Sequence, residues 1–170
     1  MDNVSAIRLD AETKVAERPG DHHAEVRLWL RLLTCTTLIE GEIRRRLREH
    51  SDFTLPRFDL MAQLYKAQGG MTLGELSSRM MVSNGNVTGL AERLVAQGLV
   101  KRKPSPHDRR VQIVSLSAEG RRAFQKIARA HESWIAEMFS GLSSNDTSAL
   151  MQLLAKAKAS AHRTVGRKQS

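Results

Sequence analysis

The stretch Thr72–Leu116, TLGELSSRMMVSNGNVTGLAERLVAQGLVKRKPSPHDRRVQIVSL, leaves this chain few ways to fold. Thr72 and Glu75 stand in the S/T-x-x-E spacing of a capping box, in which each side chain satisfies a free backbone N–H. Leu73, Leu76 and Met80 then recur at helical spacing, predicting a short helix over 73–79 with one apolar face. Met81-Val82-Ser83 interrupts it, and Ser83 can cap a second helix reaching about Gln97. Val87, Leu90, Ala91, Leu94 and Val95 fall on one side of that helix, and Gly98 is a good stop. Two helices joined by so short a turn cross steeply, as in a helix-turn-helix.

The outward face of the second helix carries the information. At about 100° per residue, Gly85, Gly89 and Glu92 point away from the apolar stripe. Asn84 and Thr88 flank them on one side, Asn86 and Arg93 on the other. A helical glycine costs roughly 1 kcal/mol relative to alanine, so two of them four residues apart need a reason. Either a nucleic acid comes close to the backbone there, or Gly85 eases the first turn and Gly89 packs under a neighbour. The surrounding side chains favour the first reading, because Asn and Arg can hydrogen-bond base edges in a major groove.

After Gly98, Leu99 to Lys103 begins a strand, and Val111 to Leu116 is suited to be its antiparallel partner. Between them Pro104 to Arg110 is turn-rich and charged. A hairpin tipped with Asp108-Arg109-Arg110 suits phosphate or minor-groove contact, since arginine enters narrow grooves of high negative potential. A basic loop by itself reads as a solvated one. Directly after a helix-turn-helix, it reads as a wing.

Together these residues resemble the winged helix-turn-helix of the multiple-antibiotic-resistance regulator (MarR) family. The matching positions are Leu73-x-x-Leu76-Ser77, the helix Ser83 to Leu94, Gly98-Leu99-Val100, Asp108-Arg109-Arg110 and Leu116-Ser117-x-x-Gly120. The resemblance implies a mainly α fold with a small β-hairpin wing, and a homodimeric transcription regulator on a palindromic double-stranded operator. Its second helix would enter the major groove while the wing reaches the minor groove. Carried over by position, Ser83, Asn84, Asn86, Thr88 and Arg93 face DNA, with Gly85 and Gly89 giving access. Asp108 and Arg110 match a D-x-R signature in which the Asp orients the arginine, and Arg109 is a further phosphate contact.

The flanks indicate what that unit is built into. Residues 1–20 are polar and aperiodic, and predict a flexible arm. A long helix is expected from Asp21 to about Arg48, with Leu32, Thr36, Ile39, Ile43 and Leu47 in one stripe. Val26, Trp29, Leu30 and Leu33 widen its apolar side, as on a helix with two things to touch. A helix over 56–68 follows, with Phe58, Met61, Leu64 and Tyr65 at helical steps. Ser117 caps another to about Ser140, whose apolar side is Phe124, Ile127, Ala128, His131, Trp134, Ile135 and Met138. Ser143 and Asp146 form a second capping box, before a helix with Leu150, Leu153, Leu154, Ala157 and Ala161 on one face. The expected organisation is thus a winged helix-turn-helix over 51–117 and a helical dimerisation region from 21–50 and 118–165. An isologous dimer would bury the surplus apolar surface.

Charge agrees with a polyanionic partner: 27 Lys and Arg stand against 18 Asp and Glu in 170 residues, a formal +9. By itself that balance also permits membrane-surface binding or mere solubility. With no apolar run of about 18 residues, no transmembrane helix is expected. The N-terminus lacks the apolar core of a secretory signal, and a single cysteine fits a reducing cytoplasm. Arg44-Arg45-Arg46-Leu47-Arg48 reads as a solvated helix end, with DNA-backbone contact as the alternative.

No Gly-rich phosphate loop, G-x-S-x-G or His-Glu-x-x-His occurs, so neither catalytic residues nor a cofactor is expected. His22 and His23 point about 100° apart on a helix, which gives no metal site. Cys35, beside apolar neighbours, is expected to be a buried inert thiol. Because some MarR-family members sense oxidants through one cysteine, a redox-sensing regulator is an alternative. The leading expectation is a repressor released by a small molecule. TLPRFDLMAQL and MMVSNGNVTGL look similar to family members controlling aromatic-acid breakdown, implying an aromatic acid or its coenzyme A thioester as effector, at residues the resemblance does not map. The rivals are an architectural DNA binder without sequence preference and a winged-helix protein-interaction module.

Overall fold

The structure, a computed structural model, describes residues 23–166 apart from 52, 68, 107 and 109. In chain order the described residues form α1 (Ala24–His50), α2 (Leu55–Lys66), β1 (Met71–Thr72), α3 (Leu73–Met80) and α4 (Asn84–Ala96). Then come β2 (Val100–Pro104), β3 (Gln112–Leu116), α5 (Ala118–Met138) and α6 (Ser144–Gly166). The strands make one antiparallel sheet in the order β1-β3-β2. The expected arm, Asp21, His22 and Gln68 lie outside the described residues.

Local chemistry sets most boundaries. The Thr72 backbone N–H donates to Glu75 Oε2 at 2.7 Å, and Glu75 N–H donates back to Thr72 Oγ1 at 3.2 Å, completing the capping box. Ser143 and Asp146 do the same ahead of α6, at 3.0 and 3.2 Å. Ser83 Oγ accepts from the Asn86 N–H at 3.4 Å and starts α4. Past the end of that helix, Gly98 takes φ 71° and lets the Leu99 N–H reach the Leu94 carbonyl at 3.0 Å.

The turn between α3 and α4 is tightly held. Val82 N–H donates to the Ser77 carbonyl at 3.2 Å, while Ser77 Oγ donates to the Val82 carbonyl at 2.6 Å. This closure forces Met81 into the left-handed region, φ 55° and ψ 38°. Such a conformation costs an ordinary L-residue about 1–2 kcal/mol.

The third strand, β1, is not anticipated by the sequence pattern. Two residues carry no periodicity, and Met71 and Thr72 find partners only when Val114 and Ile113 return across them. A Cβ on Gly70 would lie 2.6 Å from the Val114 carbonyl oxygen, so only glycine passes this crossing.

The core sits where α1, α2, α3, α4 and the sheet meet. Leu47, Leu60, Met61, Leu64, Leu76, Val87, Leu94 and Val114 are fully buried, each contributing about 1.5–3 kcal/mol. Phe124 of α5 stacks on both aromatic residues of α2, with centroids 5.3 Å from Phe58 and 5.0 Å from Tyr65. Gln125 donates to the Tyr65 hydroxyl at 2.9 Å, and the Arg121 guanidinium lies 5.0 Å over that ring.

The chain divides into two compact units between Ala130 and His131, inside α5. In the first, α1 packs only by its C-terminal half. Ile43 and Leu47 are buried, whereas Val26, Leu28, Trp29, Leu33 and Leu38 are exposed. Cys35 shares this uncovered half and is exposed, correcting the expectation of a buried thiol. Apolar neighbours on its own helix cannot bury a residue; a second element must cover it. In the second unit, Leu150, Met151, Leu153 and Leu154 of α6 are likewise exposed.

Candidate nucleic-acid interface

Helix α4 turns its apolar side, Val87, Leu90, Ala91 and Leu94, into the core. Ser83, Asn84, Gly85, Asn86 and Arg93 are therefore exposed, and Thr88 and Gly89 are half-buried. The amides of Asn84 and Asn86 and the guanidinium of Arg93 supply both donors and acceptors to a polar partner. The Thr88 hydroxyl donates to the Asn84 carbonyl at 2.9 Å, which fixes its rotamer and turns its lone pairs outward.

The glycines separate the two readings of this face. A Cβ at Gly85 or Gly89 would meet nothing within 4 Å, so neither residue packs under a neighbour. Both instead border a cleft of about 370 Å³, lined also by Thr54, Pro56, Val82, Asn86 and Arg93. The cleft puts the start of α2 beside the outward face of α4. Thr54 and Pro56 were not singled out from sequence, because only folding brings α2 against α4.

The hairpin closes at Ser105, whose N–H donates to the Val111 carbonyl at 2.8 Å. At the tip, Asp108 Oδ1 accepts from the backbone N–H of Arg110 at 2.9 Å. The carboxylate thus fixes the main chain from which the exposed Arg110 side chain departs. Arg109, the further candidate at the tip, lies outside the described residues.

Strand alternation gives β2 two cationic sides. Arg102 shares a face with buried Val100 and lies opposite Val114 in the register, while Lys101 and Lys103 take the other face. Arg102 also lines a second cavity, about 210 Å³, between α4 and the sheet, with Leu73, Thr88, Ala91, Glu92, Val95 and Val114. Sequence reasoning placed Arg102 in the basic strand but not in a site. The period-2 rule, applied from Val100, was the available signal.

Not every basic run belongs to this face. Arg45 bonds Glu42 and Glu49, Arg46 bonds Glu42, and Arg44 pairs with Glu40. The hydrogen bonds from Arg45 and then Arg46 pull the Glu42 carboxyl down to about 2. Arg44, Arg45 and Arg46 are thus paired within α1, which agrees with a solvated helix end. Among the described residues, no group of three or more His, Cys, Asp or Glu side chains could hold a metal ion.

The arrangement is a helix-turn-helix followed by a β-hairpin wing in a three-stranded sheet, with exposed amides and cations on α4 and exposed cations on the hairpin. The MarR family model matches residues 53–111, from just before α2 to just before β3. A solved MarR-family transcriptional regulator from Silicibacter pomeroyi is 32% identical, spans 81% of this chain and 94% of that one, and superposes with a TM-score of 0.69. The chain belongs to the MarR family. Members of this family are transcription regulators, not enzymes. The fold also matches S. aureus MepR, solved as a complex with DNA, at 18% identity and TM-score 0.68 over 76% of this chain and 94% of that one. Among curated relatives, the transcriptional activatory protein BadR of Rhodopseudomonas palustris is 28% identical over 133 residues, 76% of this chain and 75% of that protein.

Proposed function

We propose that this protein is a homodimeric, sequence-specific DNA-binding regulator acting in the cytoplasm. In this reading α4 lies in the major groove of a palindromic operator and Arg110, with Arg109, reaches the adjacent minor groove. The observation that carries it is the outward face of α4: Asn84, Asn86 and Arg93 exposed around two glycines whose missing Cβ atoms would touch nothing in the chain. Residues 51–117 then form the reading unit. The uncovered apolar residues of α1 and α6, within 21–50 and 118–165, meet a second copy. MepR, which shares the fold, was solved on DNA. Gel shifts at fixed salt, comparing a duplex selected from a random pool with scrambled duplex, test the reading. Equal affinity for both would establish an architectural binder instead.

Release by an effector is the regulatory part of the reading. The cavity between α4 and the sheet is walled by Leu73, Ala91, Val95 and Val114, with Arg102 and Glu92 also lining it; the ring of an aromatic acid would lie on those walls and its carboxylate towards Arg102, away from Glu92. At about 210 Å³ it lies below the roughly 300–1,000 Å³ of sites for drug-sized ligands. A one-ring acid therefore suits it better than a coenzyme A thioester, most of which would remain outside. Such a ligand shifts the equilibrium only by binding the DNA-free arrangement more tightly. A thermal-shift screen of aromatic acids and their thioesters, followed by operator release, tests this. We read the output as repression; BadR, a relative that activates, defines the opposite outcome for a promoter-reporter assay.

A redox-sensing reading would use Cys35, exposed in the single chain on the half of α1 that faces the second copy. Peroxide should then release operator from the native chain but not from a Cys35→Ser variant.

A further inference from the structure

Met81 combines a left-handed backbone, held by the hydrogen bonds of its turn, with a large apolar side chain that the described residues leave uncovered. Its backbone is left-handed at φ 55°, a conformation glycine adopts freely and an unbranched bulky residue does not. Its side chain is 91% exposed, so it recovers no packing in return. A lone exposed apolar residue needs no explanation, and neither does a glycine-like turn. The turn's hydrogen bonds hold a left-handed backbone that glycine would adopt without strain, so a large uncovered methionine kept there points outside the chain for its use.

Its position says where. Met81 ends α3, two residues before the Ser83 cap of α4, and the chain from Met81 to Asn86 is exposed without a break. The turn is held rigidly by the paired Ser77–Val82 hydrogen bonds, so the side chain springs from a fixed point. Every other exposed group in this run that faces a partner is polar or a glycine, apart from Val82, which lines the cleft. A base edge in the major groove offers one apolar feature, the C5-methyl of thymine.

We propose that Met81 is a specificity-determining residue that packs its thioether against a thymine methyl at the edge of the sequence read by α4. This rests on the regulator reading above and adds a base preference to it. Asn and Arg side chains discriminate by hydrogen bonding, and Met81 adds discrimination between thymine and bases without the methyl. Methionine suits the task because its unbranched, polarizable chain adapts to an irregular apolar surface.

The test uses the full chain, its selected operator duplex and a scrambled duplex. Met81→Gly relieves the backbone and should raise Tm by roughly 2–4 °C, while weakening operator binding about 5-fold and leaving scrambled-duplex binding unchanged. Met81→Leu should keep most of the operator affinity. Replacing operator thymines one at a time by deoxyuridine should cost the native protein a similar factor at one position per half-site. At that position Met81→Gly should lose nothing more. Unchanged operator affinity in Met81→Gly overturns the proposal, as does an equal loss on both duplexes, which marks a backbone contact. Equal insensitivity of the native chain to every methyl removal overturns it too. A native chain that prefers no duplex at all overturns the parent reading, and this one with it, and is recognised before any variant is made.

Discussion

The Ser117 hydroxyl donates a 2.6 Å hydrogen bond to the carbonyl of Gly98, tying the start of α5 to the end of the α4 segment. The same oxygen accepts from the Gly120 N–H at 2.9 Å, and the Ser117 N–H donates to the Leu99 carbonyl at 2.9 Å. A Cβ on Gly120 would lie 1.9 Å from that same Leu99 oxygen. Serine and glycine at these positions thus clamp two helices at backbone distance. Ser117→Ala strands the buried Gly120 N–H and leaves the part-buried Gly98 carbonyl without this donor, and should lower stability by about 2 kcal/mol, or roughly 4–8 °C in Tm. Gly120→Ala should cost about 3 kcal/mol, because backbone must move. Thermal denaturation followed by circular dichroism checks both.

The glycines of α4 should behave in the opposite way. With nothing within 4 Å of an added Cβ, Gly89→Ala should stabilise the chain by about 1 kcal/mol through helix propensity. Gly85→Ala, in the first turn, should gain less. Both should weaken operator binding about 10-fold. A raised Tm with full DNA affinity would show that close approach is not what keeps these glycines.

Arg93 and Arg110 should fail differently. Arg93→Ala removes a base-reading side chain, so operator affinity should fall by about 1–3 kcal/mol with little change on scrambled duplex. Arg110→Ala should weaken both duplexes and reduce the salt slope by about one. Asp108→Ala, which frees the Arg110 main chain, should reproduce part of the Arg110 loss. Fluorescence anisotropy across a salt series separates these outcomes. Indifference at both arginines would favour the protein-interaction reading.

Oligomeric state tests the uncovered faces. Trp29 and Leu153 are each 60% exposed on α1 and α6. In Trp29→Glu and Leu153→Glu a charge enters the proposed contact, so light scattering should show a shift from dimer to monomer. Operator affinity should fall along with it. Two stable dimers would remove these residues from the interface.

Acid should loosen α1. Glu42, held at about 2 by its hydrogen bonds from Arg45 and Arg46, has a folded pKa below its unfolded value near 4.5. Its contribution is therefore complete above about pH 4.5 and lost as pH falls towards 2. A carboxyl-selective NMR titration should show Glu42 titrating well below the ordinary glutamate range. In Glu42→Gln the acid loss over that window should shrink. High salt should weaken the effect, since these groups are exposed.

The elements most legible in sequence were those made by short-range chemistry. Both capping boxes, the Ser83 cap, the Gly98 stop and the apolar side of α4 involve residues within a few positions of each other. The tip of the hairpin was legible in its charge, but not in what Asp108 bonds. The β1 strand, the lining of both clefts and the state of Cys35 were not legible. Each depends on which distant segment arrives beside it: Val114 for Met71, the start of α2 for Gly85, and, among the described residues, none for the outer half of α1.

The sequence by itself determined where helices begin and end, and which side of α4 faces outward, because a cap and a 3.6-residue period act over one or two turns. Only the tertiary structure decided that Gly85 and Gly89 have no neighbour while Gly70 and Gly120 have no room. All four are the same residue type to a reader of the sequence. What differs is the backbone brought against them by segments far along the chain, and close packing makes that difference absolute.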